Sequence, residues 1–134
     1  TYTDKKVKSK NGETYFYTVC AYNGNDKGTY HRTGKKIIRL TAPALNNPVN
    51  KAAKKLEVKW KKNNKAAGYQ VQYSTSKKFK RSQTKTKYAT KMNLMVKKLK
   101  SKKAYYFRMK AYTKGAGNKK VYSKNWSKVK KCKI

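Results

Sequence analysis

The octapeptide YYFRMKAY, residues 105–112, decides how this chain folds. Its apolar side chains recur at every second position, which is the spacing that places side chains on one face of a β-strand. That face holds Tyr105, Phe107, Met109 and Ala111. The opposite face holds Tyr106, Arg108, Lys110 and Tyr112. The octapeptide therefore predicts a strand with one buried face and one polar face.

A close copy of the octapeptide, YFYTVCAY, occupies residues 15–22, which lie 90 positions earlier. Each copy follows a matching basic stretch, KKVKSK at 5–10 and KKLKSK at 97–102, and here the offset is 92. The first copy thus carries two extra residues, most simply Asn11 and Gly12, a dipeptide that suits a turn between strands.

The echo continues downstream of both octapeptides. KKIIRL at 35–40 aligns with KKCKI at 130–134 at an offset near 94, which places Cys132 opposite Ile38. A period of this size is close to one small β-sandwich module of about 100 residues. We interpret the two copies as the same strands of two successive modules.

Other stretches show the same two-residue period. LEVKWK at 56–61 places Leu56, Val58 and Trp60 on one face, and YQVQY at 69–73 does the same with Tyr69, Val71 and Tyr73. NLMV at 93–96 is a shorter strand, and the last strand is expected over 119–134 with a bend near Asn125. Stretches rich in turn-forming residues separate the strands, at 63–68, 74–80 and 113–120.

This pattern predicts an all-β, antiparallel, immunoglobulin-like β-sandwich of about seven short strands. A helix over VNKAAKKLEV, residues 49–58, is the local alternative. Its second half alternates, however, and Pro48 marks a turn before it, so we favour strands there as well.

Residues 41–134 resemble one complete fibronectin type III module. AP at 42–43 resembles the opening strand of that family, LEVKW its second strand and AAGYQVQY its third. LKSKKAYYFRMKAY matches most specifically, because the family spaces a Leu, a Tyr, a hydrophobe and an Ala as in Leu99, Tyr105, Met109 and Ala111. Ser101 stands where the family often has proline.

The resemblance implies a core that includes Trp60, Tyr69, Val71, Leu99, Tyr105, Met109 and Ala111. It also implies that Tyr105 is a tyrosine-corner residue, whose hydroxyl bonds to nearby backbone. Residues 1–40 resemble only the C-terminal part of a truncated module, with Val7 in place of the leucine. We expect an apolar face there with no opposing sheet, formed by Tyr15, Tyr17, Val19, Ile38 and Leu40. Upstream chain or another copy of the chain would cover this apolar face, or the face would stay uncovered.

The lysine- and tyrosine-rich style resembles modules of secreted surface proteins from gut-type Gram-positive bacteria, which implies an extracellular or cell-surface location. The chain begins at Thr1 without an initiator Met, and we interpret it as a segment of a longer protein. No stretch approaches the roughly 18 apolar residues of a membrane span, so no membrane insertion is expected.

The charge is large and uneven. The net charge is +34, from 34 Lys and 4 Arg against 4 carboxylates. Residues 1–40 carry nine basic and three acidic side chains, whereas residues 41–134 carry 29 basic side chains and only Glu57. Surface lysine keeps a domain soluble and protects sheet edges. The alternative interpretation is an anionic partner such as nucleic acid, a wall polymer or a glycosaminoglycan.

The candidate polyanion contacts are Lys59, Lys61, Lys77, Lys78, Lys80, Arg108, Lys110, Lys119 and Lys120. Since base readout favours Arg over Lys, no sequence-specific nucleic-acid binding is expected. Tyr106 and Tyr112 could stack on bases or sugars, but cross-strand pairing on an exposed sheet face explains them better.

Enzymatic catalysis is not expected, because it needs titratable groups arranged in a pocket. The only histidine, His31, has no acidic neighbour and is predicted to be an ordinary surface residue. One histidine and two unmatched cysteines do not make a zinc site, so we expect no metal and no cofactor. Cys132 is interpreted as a small buried hydrophobe, and a Cys20–Cys132 bridge is not expected.

The sequence thus predicts a non-catalytic extracellular spacer or display module of a modular surface protein, which aids adhesion to anionic surfaces. Its partners would be adjacent modules of the same parent chain and, through non-specific electrostatics, anionic polymers. The alternative is a dedicated, non-sequence-specific polyanion-binding protein.

Overall fold

The computed structural model describes residues 3–6, 11–30 and 34–134. In this part of the chain the regular elements are strands and two short 3-10 helices, Arg81–Gln83 and Ala116–Asn118, and no α-helix occurs. The strands are β1 (Thr14–Tyr17), β2 (Tyr22–Asn23), β3 (Asp26–Lys27), β4 (Lys35–Ile38), β5 (Val49–Ala52), β6 (Lys55–Lys59), β7 (Gly68–Ser74), β8 (Thr84–Ala89), β9 (Asn93–Val96), β10 (Ala104–Lys114), β11 (Lys120–Tyr122) and β12 (Lys130–Lys133).

Two antiparallel sheets form a sandwich from residue 40 onward, which we call the C-terminal unit. The three-stranded sheet has the order β5-β6-β9. The five-stranded sheet has the order β11-β10-β7-β8, and β12 pairs with the first half of β10. Ahead of β5, Leu45 forms a bridge with Trp60. The predicted all-β antiparallel sandwich is confirmed.

The core lies between these two sheets, as the two-residue period indicates. Leu56, Val58, Val71, Phe107 and Met109 are fully buried. All seven core residues implied by the family resemblance lie in the same cluster, namely Trp60, Tyr69, Val71, Leu99, Tyr105, Met109 and Ala111. The alternate positions of β10, from Tyr106 to Tyr112, are only half-buried. The inward and outward faces of β10 are therefore as predicted.

The hydroxyl of Tyr105 closes the loop between β9 and β10. Its oxygen accepts a hydrogen bond of 2.8 Å from the backbone N–H of Lys100, five residues upstream. This is the geometry of a tyrosine corner, in which a side chain satisfies a loop donor that no strand partner reaches.

Tyr105→Phe should lower the free energy of unfolding by about 1 kcal/mol, because the ring stays buried and one hydrogen bond is lost. Tyr106→Phe is the matched control and should cost little, since that ring lies on the outer face. Chemical denaturation of both variants measures the difference. A larger cost for Tyr106→Phe would mean that the two faces of β10 are assigned backwards.

Two edge strands, β8 and β5, do not show the alternation of apolar and polar residues. β8, TKTKYA, has exposed or half-buried positions throughout and lacks an apolar stripe. β5, VNKA, is exposed along its whole length and pairs with β6 in a hairpin, so residues 49–58 form strands rather than the alternative helix. The bend predicted near Asn125 is a wider break, from 123 to 129, between β11 and β12.

The described residues up to Arg39, which we call the N-terminal unit, contain two small antiparallel sheets, β1-β4 and β2-β3. The first copy of the octapeptide, residues 15–22, forms a strand over only part of its length. β1 ends at Tyr17 after four residues, whereas β10 continues for eleven. β10 is flanked by β7 along seven of its residues, and β1 has β4 as its partner. The residue expected at the leucine position, Val7, lies outside the described residues.

The register between β4 and β1 corrects the alignment of residues 35–40 with residues 130–134. Tyr15 lies opposite Ile37 in β1-β4, as Tyr105 lies opposite Cys132 in β10-β12. Cys132 therefore corresponds to Ile37 at an offset of 95, and its alignment with Ile38 at an offset near 94 was wrong by one residue. Because side chains alternate, a shift of one residue moves a side chain to the other face.

The apolar face of the N-terminal unit changes accordingly. Tyr15, Tyr17, Val19 and Ile37 line one open groove of about 650 Å³. Ile38 instead packs against the core of the C-terminal unit, and Leu40, 8% exposed, belongs to that core. The placement of Ile38 and Leu40 on the N-terminal face was wrong. Only Arg39 separates the last strand of one unit from the core of the next.

Candidate functional site

Besides the packing of Ile38 against the C-terminal core, a pair of asparagine side chains connects the two units. The amide of Asn11 donates to Oδ1 of Asn63 at 3.1 Å, and the amide of Asn63 donates to Oδ1 of Asn11 at 2.9 Å. Oδ1 of Asn11 also accepts a bond of 3.1 Å from the backbone N–H of Thr41, in the segment that links the units. We call these three residues the joint. It fastens the turn before β1 to the loop after β6.

Each partner of the joint is itself held in place. Asn63 is buried, its backbone N–H donates to the hydroxyl of Tyr69 at 2.7 Å, and its Oδ1 accepts from the N–H of Lys65. On the other side, Gly12 donates its N–H to the carbonyl of Arg39 at 2.8 Å. The φ of Gly12 is +77°, a left-handed conformation that glycine adopts without strain. Of the two extra residues of the first copy, Asn11 thus bonds across to the C-terminal unit and Gly12 holds the turn that carries it.

The predicted polyanion contacts do not form one patch. Lys59 is the last residue of β6 in the three-stranded sheet, and Lys61 lies just beyond it. Arg108 and Lys110 lie on the outer face of the five-stranded sheet. The remaining candidates, Lys77, Lys78, Lys80, Lys119 and Lys120, lie in the loop after β7 and around the start of β11. Lys59 is also partly neutralised by Glu57, at 3.6 Å, which pairs with Lys51 at 3.3 Å too.

Arg108 is stacked between two aromatic rings. Its guanidinium carbon lies 4.1 Å from the ring centre of Phe79 and 4.2 Å from that of Trp126. Its Nε donates to Oε1 of Gln72 at 2.9 Å, and Lys110 lies over Trp126 at 5.1 Å. Burial lowers the pKa of Arg108 from its ordinary value. The stack holds this cation in one position by cation–π attraction.

Tyrosines cover the other end of the same outer face. The ring of Tyr112 makes edge-on contacts with Tyr88 at 6.1 Å and with Tyr122 at 5.9 Å. Lys120 lies over the rings of Tyr88 and Tyr112. The cross-strand pairing predicted for Tyr112 is thus present, and Lys131 lies over the ring of Tyr106 at 5.9 Å. The aromatic faces already contact cations of the chain itself.

A sequence model of the fibronectin type III domain matches residues 42–125, which is more than half of the chain. The chain belongs to the fibronectin type III family. A crystal structure of the chicken CNTN1 FN1-FN3 domains resembles it with a TM-score of 0.50 and 16% identity, covering 98% of this chain and 44% of that one. At this identity the likeness concerns the fold, and the chain spans less than half of the solved one. No curated protein matches the sequence.

Fibronectin type III domains are generally non-catalytic, modular and common in extracellular proteins. In the described part of this fibronectin type III chain, no cluster of three or more His, Cys, Asp or Glu side chains could hold a metal ion. No helix among those residues is long and apolar enough to cross a membrane. Cys20 and Cys132 are both free and half-buried, and Cys132 packs against the core. His31 lies outside the described residues.

The sequence did not single out several residues of these sites. Trp126 stands in a basic stretch without alternation, and Phe79 lies in a predicted turn, yet both stack on Arg108 of the fibronectin type III module. Asn63 opens a predicted turn, and only the joint reveals its role. The Asn-Gly insertion was the one sequence signal that pointed to the joint, because extra residues in one of two copies mark a place where that copy makes different contacts.

Alkaline pH should destabilise the module through Tyr122. Burial, then the hydrogen bond to Tyr88 and the nearby hydroxyls, raise the pKa of Tyr122 from 10.0 to about 12. Since the folded pKa exceeds the unfolded one, this contribution to stability is complete below pH 10 and is lost between pH 10 and about 12. Tyr122→Phe should lose less stability over that interval than the unmodified chain.

Spectrophotometric titration of tyrosinate, combined with denaturation at each pH, measures this effect. The variant should remove one phenol from the tyrosines that ionise at unusually high pH. Tyr73 is another of these tyrosines, because burial raises its pKa. Equal losses of stability in both proteins above pH 10 would contradict the prediction.

Proposed function

We propose that this chain is a non-catalytic extracellular spacer and display segment of a modular surface protein. The observation that carries the proposal is the joint. The last strand of the N-terminal unit ends at Ile38, and Leu40 already lies in the core of the C-terminal unit. With so short a link and the paired amides of Asn11 and Asn63, the two units have a defined relative orientation. A spacer that must project other domains benefits from such a joint.

The surface charge supports a second role in adhesion to anionic surfaces. From residue 41 onward 29 basic side chains face a single carboxylate, Glu57. Nearly all of these cations lack an internal counter-ion, so an anionic polymer or cell surface would neutralise them. Adjacent modules of the parent chain would be the other partners. The lysine- and tyrosine-rich composition fits a surface protein of a Gram-positive gut bacterium, which we propose as the setting.

Asn11→Ala should loosen the joint without disturbing the C-terminal unit. The variant removes the three amide bonds of Asn11, while the bond from Gly12 to Arg39 stays in place. Residual dipolar couplings measured by NMR should fit one alignment tensor for both units of the unmodified chain. In Asn11→Ala, the two units should require tensors of different magnitude, because they then reorient separately.

Asn64→Ala is the matched control, since that asparagine is exposed and stands next to the joint. It should leave a single tensor. Different tensors for the two units of the unmodified chain would contradict a rigid spacer. The same couplings report the folding of each unit, so loss of structure in a variant is recognised directly.

A further inference from the structure

A groove of about 720 Å³ opens at one end of the sandwich, away from the joint. Its floor includes Tyr73 and Tyr105, and its rim includes Lys85, Lys98, Lys100 and Lys103. None of these four lysines is among the polyanion contacts predicted from the sequence. The groove is large enough for a small ligand, since such sites measure about 300–1,000 Å³.

Lys85 stands on the inner face of the edge strand β8. It lies opposite Tyr73, whose side chain is 6% exposed and belongs to the core. The inner face of a sandwich strand is normally apolar. Here β8 places an exposed lysine where the space between the sheets opens to solvent. An inward-pointing charge on an edge strand also protects against aggregation, and that role alone would need no other lysines nearby.

The other lysines rise from a loop whose backbone is fixed. Leu99, 4% exposed, anchors the loop in the core, and its N–H donates to the carbonyl of Lys54 at 3.1 Å. The N–H of Lys100 donates to the hydroxyl of Tyr105. The carbonyl of Lys103 accepts a bond of 3.0 Å from Ile134. Lys98 has a φ of +58°, a left-handed conformation that such anchoring maintains.

The groove is basic without internal compensation. Glu57 is the only carboxylate from residue 41 onward, and it is paired with Lys51 and Lys59 on the three-stranded sheet. Hydroxyl and amide groups complete the lining, from Thr75, Ser82 and Gln83. Four lysines from one strand and one anchored loop, beside neutral hydroxyl and amide groups, concentrate positive charge around a single groove.

We propose that this groove binds sulfate or phosphate esters carried on a polyhydroxylated chain, such as a sulfated glycan or a polyol phosphate. Lysine binds such tetrahedral oxyanions as a point charge, and the hydroxyl and amide groups match the hydroxyls of the chain. This inference rests on the proposed adhesion to anionic surfaces and names its site. Nucleic acid fits less well, because single strands bind by stacking on exposed rings. Here Tyr73 and Tyr105 are buried, and Lys131 lies over the ring of Tyr106.

The experiment uses the full chain with four of its lysines replaced by glutamine. The groove variant carries Lys85→Gln, Lys98→Gln, Lys100→Gln and Lys103→Gln. The control variant carries Lys62→Gln, Lys91→Gln, Lys114→Gln and Lys124→Gln, all exposed, near the opposite end of the sandwich and absent from the polyanion contacts predicted above. Both variants lose the same charge, and thermal unfolding checks that both fold. Calorimetry at low and at physiological salt then measures binding of four probes. They are a sulfated hexasaccharide, a glycerol phosphate oligomer, an unsulfated hexasaccharide and single-stranded DNA of equal charge.

We expect one sulfated or phosphorylated oligomer per chain, and the groove variant should bind it at least about tenfold more weakly than the control variant. The sulfated and the glycerol phosphate probes decide which source of the esters is preferred. Equal weakening in both variants would overturn the groove while leaving adhesion through a diffuse field intact. No binding of any polyanion by the unmodified chain, even at low salt, would overturn adhesion as well. Tighter binding of DNA than of either oligomer would overturn the ligand class.

Discussion

Trp60→Ala should lower the free energy of unfolding by about 3–5 kcal/mol, the usual cost of truncating a buried aromatic side chain to alanine. Trp60 is 4% exposed and makes an edge-on contact with Tyr69, with ring centres 5.3 Å apart. It also bridges the opening segment to the sandwich through Leu45. Removing the ring leaves a cavity between the sheets that neighbouring side chains fill only in part.

Trp60→Phe is the informative control for that loss. The indole N–H of Trp60 is buried and has no hydrogen-bond partner in the described part of the chain. Phenylalanine keeps an aromatic ring and removes this unsatisfied donor, so the cost should be well below that of alanine. Chemical denaturation of both variants gives the comparison. A cost for Trp60→Ala of about 0.5 kcal/mol or less, typical of a surface change, would place the ring outside the core.

Residues 41–134 should fold alone and unfold in one cooperative transition, whereas residues 1–40 alone should not. The larger fragment retains every strand of both sheets of the sandwich. The smaller one has two-stranded sheets, and isolated hairpins are marginally stable in water. Its groove beside Tyr15, Tyr17 and Val19 has no sheet across it in the described part of the chain.

Circular dichroism with thermal and urea unfolding tests each fragment. A third fragment beginning at Leu40 should be more stable than 41–134, because it keeps a side chain that belongs to the core. A gradual melt of 41–134, without a cooperative transition, would sink its assignment as an independent module. A cooperative melt of 1–40 would show that the N-terminal unit needs no completion.

Local alternation was sufficient to predict the sandwich and most of its core. Leu56, Val71 and Met109 each stand in a stretch where every second residue is apolar, and that pattern tells which side of a strand is buried whatever the partner. β8 was not predicted because two lysines, Lys85 and Lys87, stand on its inner face where an alternating strand has apolar residues. The alignment of residues 35–40 with residues 130–134 was wrong by one residue, because strand register depends on the length and shape of the intervening turns.

The sequence by itself determined the fold class, the repeated strands and the excess of positive charge, since all three follow from residue type and short-range spacing. Only the tertiary structure decided which side chains meet. It joined Asn11 to Asn63 across 52 positions and placed Arg108 on Trp126. It also gathered Lys85 with Lys98, Lys100 and Lys103 around one groove, although they belong to a strand and to a distant loop. Contacts of this kind depend on how sheets pack and loops close, and neither composition nor periodicity carries that information.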